Sequence, residues 1–212
     1  MPTITKNNNV VTVVDMYPID VTHQQELIDL LVEEIRTMLK QQAGFVSASL
    51  HKSRDGVRIG NYMQWRSQND HSSAKANLAG QEFVNALHRL SQPDSHLYEV
   101  AIIKPENHTT VISKGSFVVF GEFRLKPENQ PRLLEQESQK VEEALKQFGL
   151  LSANFHRGLD GTRMINYAQM RSQADLEALA HQPDFAPATA YWKDLAENEY
   201  HGYEVVLIEE AS

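Results

Sequence analysis

One thirteen-residue stretch occurs twice, and this duplication limits what the chain can fold into more than any other feature. Arg58-Ile-Gly-Asn-Tyr-Met-Gln-Trp-Arg-Ser-Gln-Asn-Asp70 returns as Arg163-Met-Ile-Asn-Tyr-Ala-Gln-Met-Arg-Ser-Gln-Ala-Asp175 at a constant offset of 105, with eight positions identical and no gap. A chain of 212 residues carrying such a copy reads as two units, 1–105 and 106–212. Units of that size bury little core alone, so the copies are expected to pack on each other.

Both units show the same order of elements. Residues 10–17 are β-branched and apolar and stop at Pro18, which reads as a strand. Thr22 is the expected N-cap of a helix that buries Leu27, Leu30, Leu31, Ile35 and Met38 and ends near Gly44. Residues 45–51 and 57–66 are two strands joined by the turn 53–56, an antiparallel hairpin. Ser67 followed by Asp70 is a capping pattern, copied as Ser172 and Asp175. The helical region behind it is expected to break near Gly80 and resume through Phe83, Leu87 and Leu90, with a last strand over 96–104.

The second unit offers a strand at 117–125, then Pro127 in the first turn of a helix with Leu134, Val141, Leu145 and Phe148. Gly149 matches Gly44, His156 matches His51, and 186–198 is expected to contain a helix with Tyr191 and Trp192. The closing His201, Tyr203, Glu204 and Val205 match His96, Tyr98, Glu99 and Val100, and 105–109 is a short polar linker. Each βαββαβ unit makes a four-stranded antiparallel sheet with its helices on one face, an α+β arrangement. Strands so rich in Val, Ile, Phe and Tyr cannot leave the other face in water. Packing the two bare faces together closes a barrel-like pseudo-dimer within one chain.

Alternation along the strand 57–66 sends Ile59, Asn61, Met63 and Trp65 to one face and Arg58, Tyr62, Gln64 and Arg66 to the other. The first set is apolar apart from one amide and is placed under the helices. A buried Asn61 needs partners, either a loop or helix end or a ligand, or it costs about 1–3 kcal/mol. Trp65 lies about 13 Å further along the same face. It is either core or the wall of a flat apolar pocket with an indole N–H to offer. Its copy is Met170, which fills space but cannot donate that bond, so the two pockets are expected to differ. Asn166 repeats the amide.

His71, just inside the following helix, has Leu176 as its counterpart and is expected to be neutral there, able to take a proton, unless it is a plain surface residue. His88 and Arg89 are placed beside the first pocket by position alone, with Ile59 and Met63 on its strand face. Arg58, Arg66, Gln64 and Tyr62 read as a structural polar network, and the duplicated pairs His51/His156 and His96/His201 as structural too.

Composition removes other classes. A net charge of −8 without a basic cluster argues against nucleic acid. The absence of cysteine excludes thiolate metal sites and a cysteine nucleophile and fits a reducing compartment. The polar opening residues have no apolar run behind them, so the expectation is a cytoplasmic protein without a membrane span. Phosphate loops, nucleophile elbows, dinucleotide fingerprints and zinc-binding His-Glu-x-x-His are missing. The nine histidines show no clustered ligand spacing with acids, so a metal site is possible but has no support in the spacing.

Leu50-His-Lys-Ser-Arg-Asp-Gly56, Asn61-Tyr-Met-Gln-Trp-Arg-Ser67 and the closing Leu97-Tyr-Glu-Val100 together resemble the antibiotic biosynthesis monooxygenase family of dimeric α+β barrel proteins. The resemblance covers nearly the whole chain, once per repeat. Most members are single units that dimerise, so this chain resembles a fused, intramolecular dimer of two ferredoxin-like repeats packed sheet to sheet. The resemblance implies an oxygenase needing neither metal nor flavin and acting with O₂ on electron-rich phenols, anthrones or quinols. It maps the family's asparagine and tryptophan onto Asn61 and Trp65, with His71 as proton-handling group, whereas Met170 departs from the pattern. Two rival readings stand beside it. One is a binding or stress-response module of the same fold without turnover. The other is a haem-degrading oxygenase, whose axial histidine position is Lys75 here. Further pairing of two-repeat chains into a homodimer is left open.

Overall fold

The computed structural model describes residues 1–6, 9–79, 82–106, 109–186 and 190–211. Among the described residues ten strands and five α-helices follow one another. The first half holds β1 (Thr3–Ile4), β2 (Val11–Pro18), α1 (Gln24–Thr37), β3 (Phe45–Ser53), β4 (Arg58–Trp65), α2 (Gln68–Leu78), α3 (Glu82–Leu90) and β5 (Asp94–Lys104). The second holds β6 (Thr110–Val111), β7 (Phe117–Leu125), α4 (Gln130–Gln147), β8 (Leu150–Gly158), β9 (Arg163–Met170), α5 (Gln173–Ala180) and β10 (Ala196–Glu210). Eight strands close a barrel in the order β10-β3-β4-β2-β5-β8-β9-β7. The run β3-β4-β2-β5 is therefore repeated as β8-β9-β7-β10. The halves are joined edge to edge as well as through their inner faces. Antiparallel β5 pairs with β8, setting Val100 opposite His156, and β10 pairs with β3, setting Val205 opposite His51. Closure leaves no barrel strand edge open to another chain.

The period-two pattern puts three cores where it should. Inside the barrel lie Val14, Met16, Tyr62, Phe120, Tyr167 and Tyr203, all buried. Two matching bonds cross this interior: Tyr62 Oη to His156 Nε2 at 2.9 Å and Tyr167 Oη to His51 Nε2 at 3.2 Å. Burial pushes both imidazoles down to about 4, so they are neutral at physiological pH. His96 joins Asp94 to Asp160 and His201 joins Glu199 to Asp55, each histidine bridging the two halves at the rim. On the outside, Leu27, Leu31 and Ile35 of α1 pack with Ile59, Met63 and Trp65 of β4, and Leu133 and Val141 of α4 pack with Met164 and Ala168 of β9.

The helix starts show how sequence sets local structure. Ser67 Oγ accepts from the Asp70 amide and Ser172 Oγ from the Asp175 amide. Gly44 and Gly149, both at positive φ, pack directly against those aspartates, where a Cβ has no room. Thr22 is not the expected N-cap: Asp20 caps a short 3-10 turn at Val21–His23, and α1 starts behind it.

Residues 191–195 form consecutive turns, not the expected helix, while 187–189 lie outside the described residues, as do Gly80 and its expected break. The polar opening segment contributes β1, which pairs with β6 and buries Ile4 completely in the barrel core. Among the described residues no helix is long and apolar enough to cross a membrane.

Candidate active site

The strand face identified from alternation opens on a cavity of ≈ 370 Å³ between the first-half sheet and its helices, within the range of about 300–1,000 Å³ that small-molecule sites occupy. Asn61, Met63 and Trp65 reach it from β4, His71 and Lys75 from α2, and His88 from α3. Ile59 does not reach it: the residue is sealed in the core beneath α1. Arg89 does not reach it either, because the turn of α3 that sends His88 to the cavity sends Arg89 to solvent. Asn166 lines a separate cavity in the second half.

Two residues that sequence reasoning passed over stand in the same cavity, Asp15 on β2 and Glu34 on α1. Asp15 is the ladder partner of Asn61 on one side and of Ser95 on the other, so the three side chains stand abreast. Its sequence signal was an acid in phase with Val11, Val13 and Tyr17, the helix-facing positions of the strand. Glu34 carried a similar signal, since it continues the spacing of Leu27, Leu30 and Leu31 next to Ile35.

Electrostatics follow from this enclosure. Burial raises Asp15 to about 6, against opposing effects of Ser95, Lys75 and His96. Burial and then the Asp15 charge raise Glu34 to about 7. His71 is lowered, first by burial and then by Lys75, the direction that favours its neutral form.

Four enclosed polar atoms converge here without a protein hydrogen-bond partner among the described residues: Asp15 Oδ1, Asn61 Oδ1 and Nδ2, and Trp65 Nε1. Each such atom costs about 1–3 kcal/mol when left unpaired, which a ligand of complementary polarity recovers. Asn61 therefore does not tie down a loop or a helix end. The Trp65 indole is held edge-on by Phe45 at 5.5 Å and tilted against His71 at 5.6 Å.

The second half does not reproduce this. Its cavity is ≈ 90 Å³. Tyr191 and Trp192, edge to face with ring centroids 4.7 Å apart, occupy the space, packed edge-on or tilted against Phe185 and Phe123. Register shows what changed. Gly121 stands opposite Asn166 where Asp15 stands opposite Asn61. Gln24 and Gln130 make the same pair of bonds to the hairpin backbone, so Glu34, ten residues on, corresponds to Lys140, which is bound to Asp184. Neither carboxylate nor the indole of the first cavity is present at the matching positions Gly121, Lys140 and Met170.

Among the described residues no three His, Asp or Glu side chains gather as a metal site. No protein-family profile matches the chain. In sequence it is 34% identical over 100 residues to the tetracenomycin-F1 monooxygenase of Streptomyces glaucescens, an alignment covering 47% of this chain and 89% of that protein. In structure it is similar to an anthrone oxidase-like protein, with a TM-score of 0.83 at 21% identity over 100% of this chain and 97% of the other. It is also similar to a chlorite dismutase from Candidatus Nitrospira defluvii, with a TM-score of 0.56 at 10% identity over 94% and 92%. The structural likenesses establish the barrel; with the sequence relative, they show that this chain belongs to the antibiotic biosynthesis monooxygenase family of dimeric α+β barrel proteins.

Proposed function

We propose that the first-half cavity is the active site of a cofactor-independent monooxygenase that oxidises an electron-rich aromatic, a phenol, anthrone or quinol, with O₂. The observation that carries this reading is the set of unpartnered polar atoms on Asp15, Asn61 and Trp65 around a hollow that pairs apolar walls such as Tyr17, Leu39 and Met63 with the titratable Glu34, His71 and Lys75. Ground-state O₂ is a triplet and reacts slowly with closed-shell molecules, but it accepts single electrons from a carbanion or phenolate. The protein need only bind the ring away from water, favour its anion and leave room for O₂.

For an anthrone the steps balance as follows. A ring CH₂ loses one proton, and the electron pair spreads onto the carbonyl oxygen, which Asn61 Nδ2 stabilises as a donor. The carbanion gives one electron to O₂, and the resulting radical and superoxide combine in a C–O bond. The peroxide anion takes a proton back and loses water, leaving C=O, so that CH₂ and O₂ become C=O and H₂O. Trp65 walls and orients the ring, and neutral His71 moves the proton. Lys75, in the wall, stands where the haem-degrading reading requires a histidine. The same reading takes the chain as two ferredoxin-like units, 1–105 and 106–212, supported by the repeated strand order and the repeated Tyr–His pairs. The filled second cavity takes no part in turnover.

The test is oxygen uptake by purified, metal-free protein given dithranol, a dihydroxyanthrone, and a panel of quinols. The expected result is one O₂ per anthrone. Asn61→Ala should lower kcat about 10²-fold, and Trp65→Phe should also lose activity. If no ring in the panel consumed oxygen while the Streptomyces glaucescens monooxygenase did so in the same buffer, the proposal would be wrong.

A further inference from the structure

We infer that Asp15 is the base that takes the proton from the bound aromatic, with Glu34 as the second carboxyl of a coupled pair that keeps the cavity from carrying two negative charges. The inference rests on the reading of this cavity as an oxygenase site and adds the proton's destination.

Three observations place the base on β2. Asp15 Oδ1 is enclosed, has no protein partner among the described residues and lies in the cavity wall. The carboxyl stands in register beside Asn61, so one substrate edge can meet a proton acceptor and an oxyanion donor together. The acid occurs only in the half that keeps the tryptophan and the open volume; its register counterpart is Gly121, beside Met170 and the aromatic plug. A scaffold role would be needed equally in both halves.

The step itself is simple. A C–H bond of the substrate (or the O–H of its enol) breaks, an O–H bond forms on Asp15 Oδ1, and the electron pair stays on the ring for O₂. The proton returns later to the peroxide oxygen, through His71 or directly. The groups that bear on Asp15 are Tyr17 on its own strand, Glu34 from α1, His71 and Lys75 from α2, His88 from α3 and His96 from β5. Burial holds Asp15 at about 6 and Glu34 at about 7, so near neutral pH one of the pair is ionised while the other retains much of its proton. A base poised there is suited to work at physiological pH. Because the two titrate together, single substitutions are needed to assign the steps.

The experiment measures kcat and KM for dithranol against pH in the wild type, Asp15→Asn, Asp15→Glu and Glu34→Gln. The wild-type rate should fall as pH drops through about 6, as Asp15 gains its proton. Asp15→Asn should lower kcat about 10²–10⁴-fold, change KM far less, and abolish the acid limb. Asp15→Glu should restore part of the rate, and Glu34→Gln should keep the limb with its midpoint still near 6, because Glu34 holds its proton while Asp15 titrates. Retention of the limb and of most of kcat in Asp15→Asn would overturn the inference, as would a change in KM alone. A second readout needs no turnover. Binding of 1,8-dihydroxyanthraquinone, followed by its visible band, should tighten as pH rises through about 6 in the wild type and not in Asp15→Asn. If the wild type oxidised none of the rings yet showed this pH-linked binding, the oxygenase reading would fall and Asp15 would stand as the ligand's proton acceptor. Binding that is flat with pH in the wild type would remove Asp15 from that role even if oxygen uptake were found.

Discussion

Glu137 offers a quantitative check on the structure of the second half. It sits on α4 at the position that Leu31 holds on α1, is 4% exposed, and faces the small cavity. Its Oε1 has no partner among the described residues, while Tyr191 hydrogen-bonds the carboxyl. Burial raises it from 4.5 to about 8. A carboxyl raised in the folded state favours folding fully below its unfolded value, and that contribution is lost as pH rises through the folded value. The gap of about 3.5 units at about 1.4 kcal/mol each sets a ceiling of about 5 kcal/mol, which local opening or water entry would reduce. Glu137→Gln keeps the shape and the bond to Tyr191 but never ionises. Urea unfolding of both proteins at about pH 5, 7 and 9 isolates the residue, because every other group titrates in each. The variant should gain on the wild type by several kcal/mol between the extremes, most of it before pH 8. A difference that stayed level within about 0.5 kcal/mol would mean that Glu137 is solvated in the folded state.

Three further outcomes are expected. His51 and His156, held neutral with values near 4 by burial, cannot follow the unfolded chain in binding protons as pH falls below the ordinary 6.5. Each should cost up to about 3 kcal/mol between those limits, and a pH series comparing wild type with His51→Gln would show the acid loss reduced in the variant. Gly44→Ala should destabilise by more than about 1 kcal/mol in a thermal melt, because φ is +81° and the new Cβ meets Asp70. Asn61→Ala should leave stability within about 1 kcal/mol of wild type or raise it, since neither amide atom has a protein partner to lose among the described residues; a large loss would show that the amide is structural.

Much of the architecture was legible because β-strands have a period of two and helices a period of 3.6. The alternation in 57–66 sent Trp65 and Tyr62 to opposite sides, and that is where they lie: one under the helices, one in the barrel. Duplicated histidines read as structural, and their paired bonds to Tyr167 and Tyr62 agree. Arg89 and Ile59 were misplaced for a different reason. Adjacent residues on a helix point about 100° apart, so His88 and Arg89 could not both face one cavity, and Ile59, although on the face of Asn61 and Trp65, is covered by α1.

From its residues alone, this chain determined that one unit is used twice, which side chains share a face, and that Trp65 and Met170 would make unequal pockets. Each of these depends on local periodicity and the copied register. Only the tertiary structure decided that the edges of the two sheets pair to close a barrel, that Tyr191 and Trp192 fold back to fill the second hollow, and that Asp15 and Glu34, nineteen positions apart, face one cavity. Those outcomes depend on long-range closure and on desolvation, which act between groups that meet only after the chain has folded.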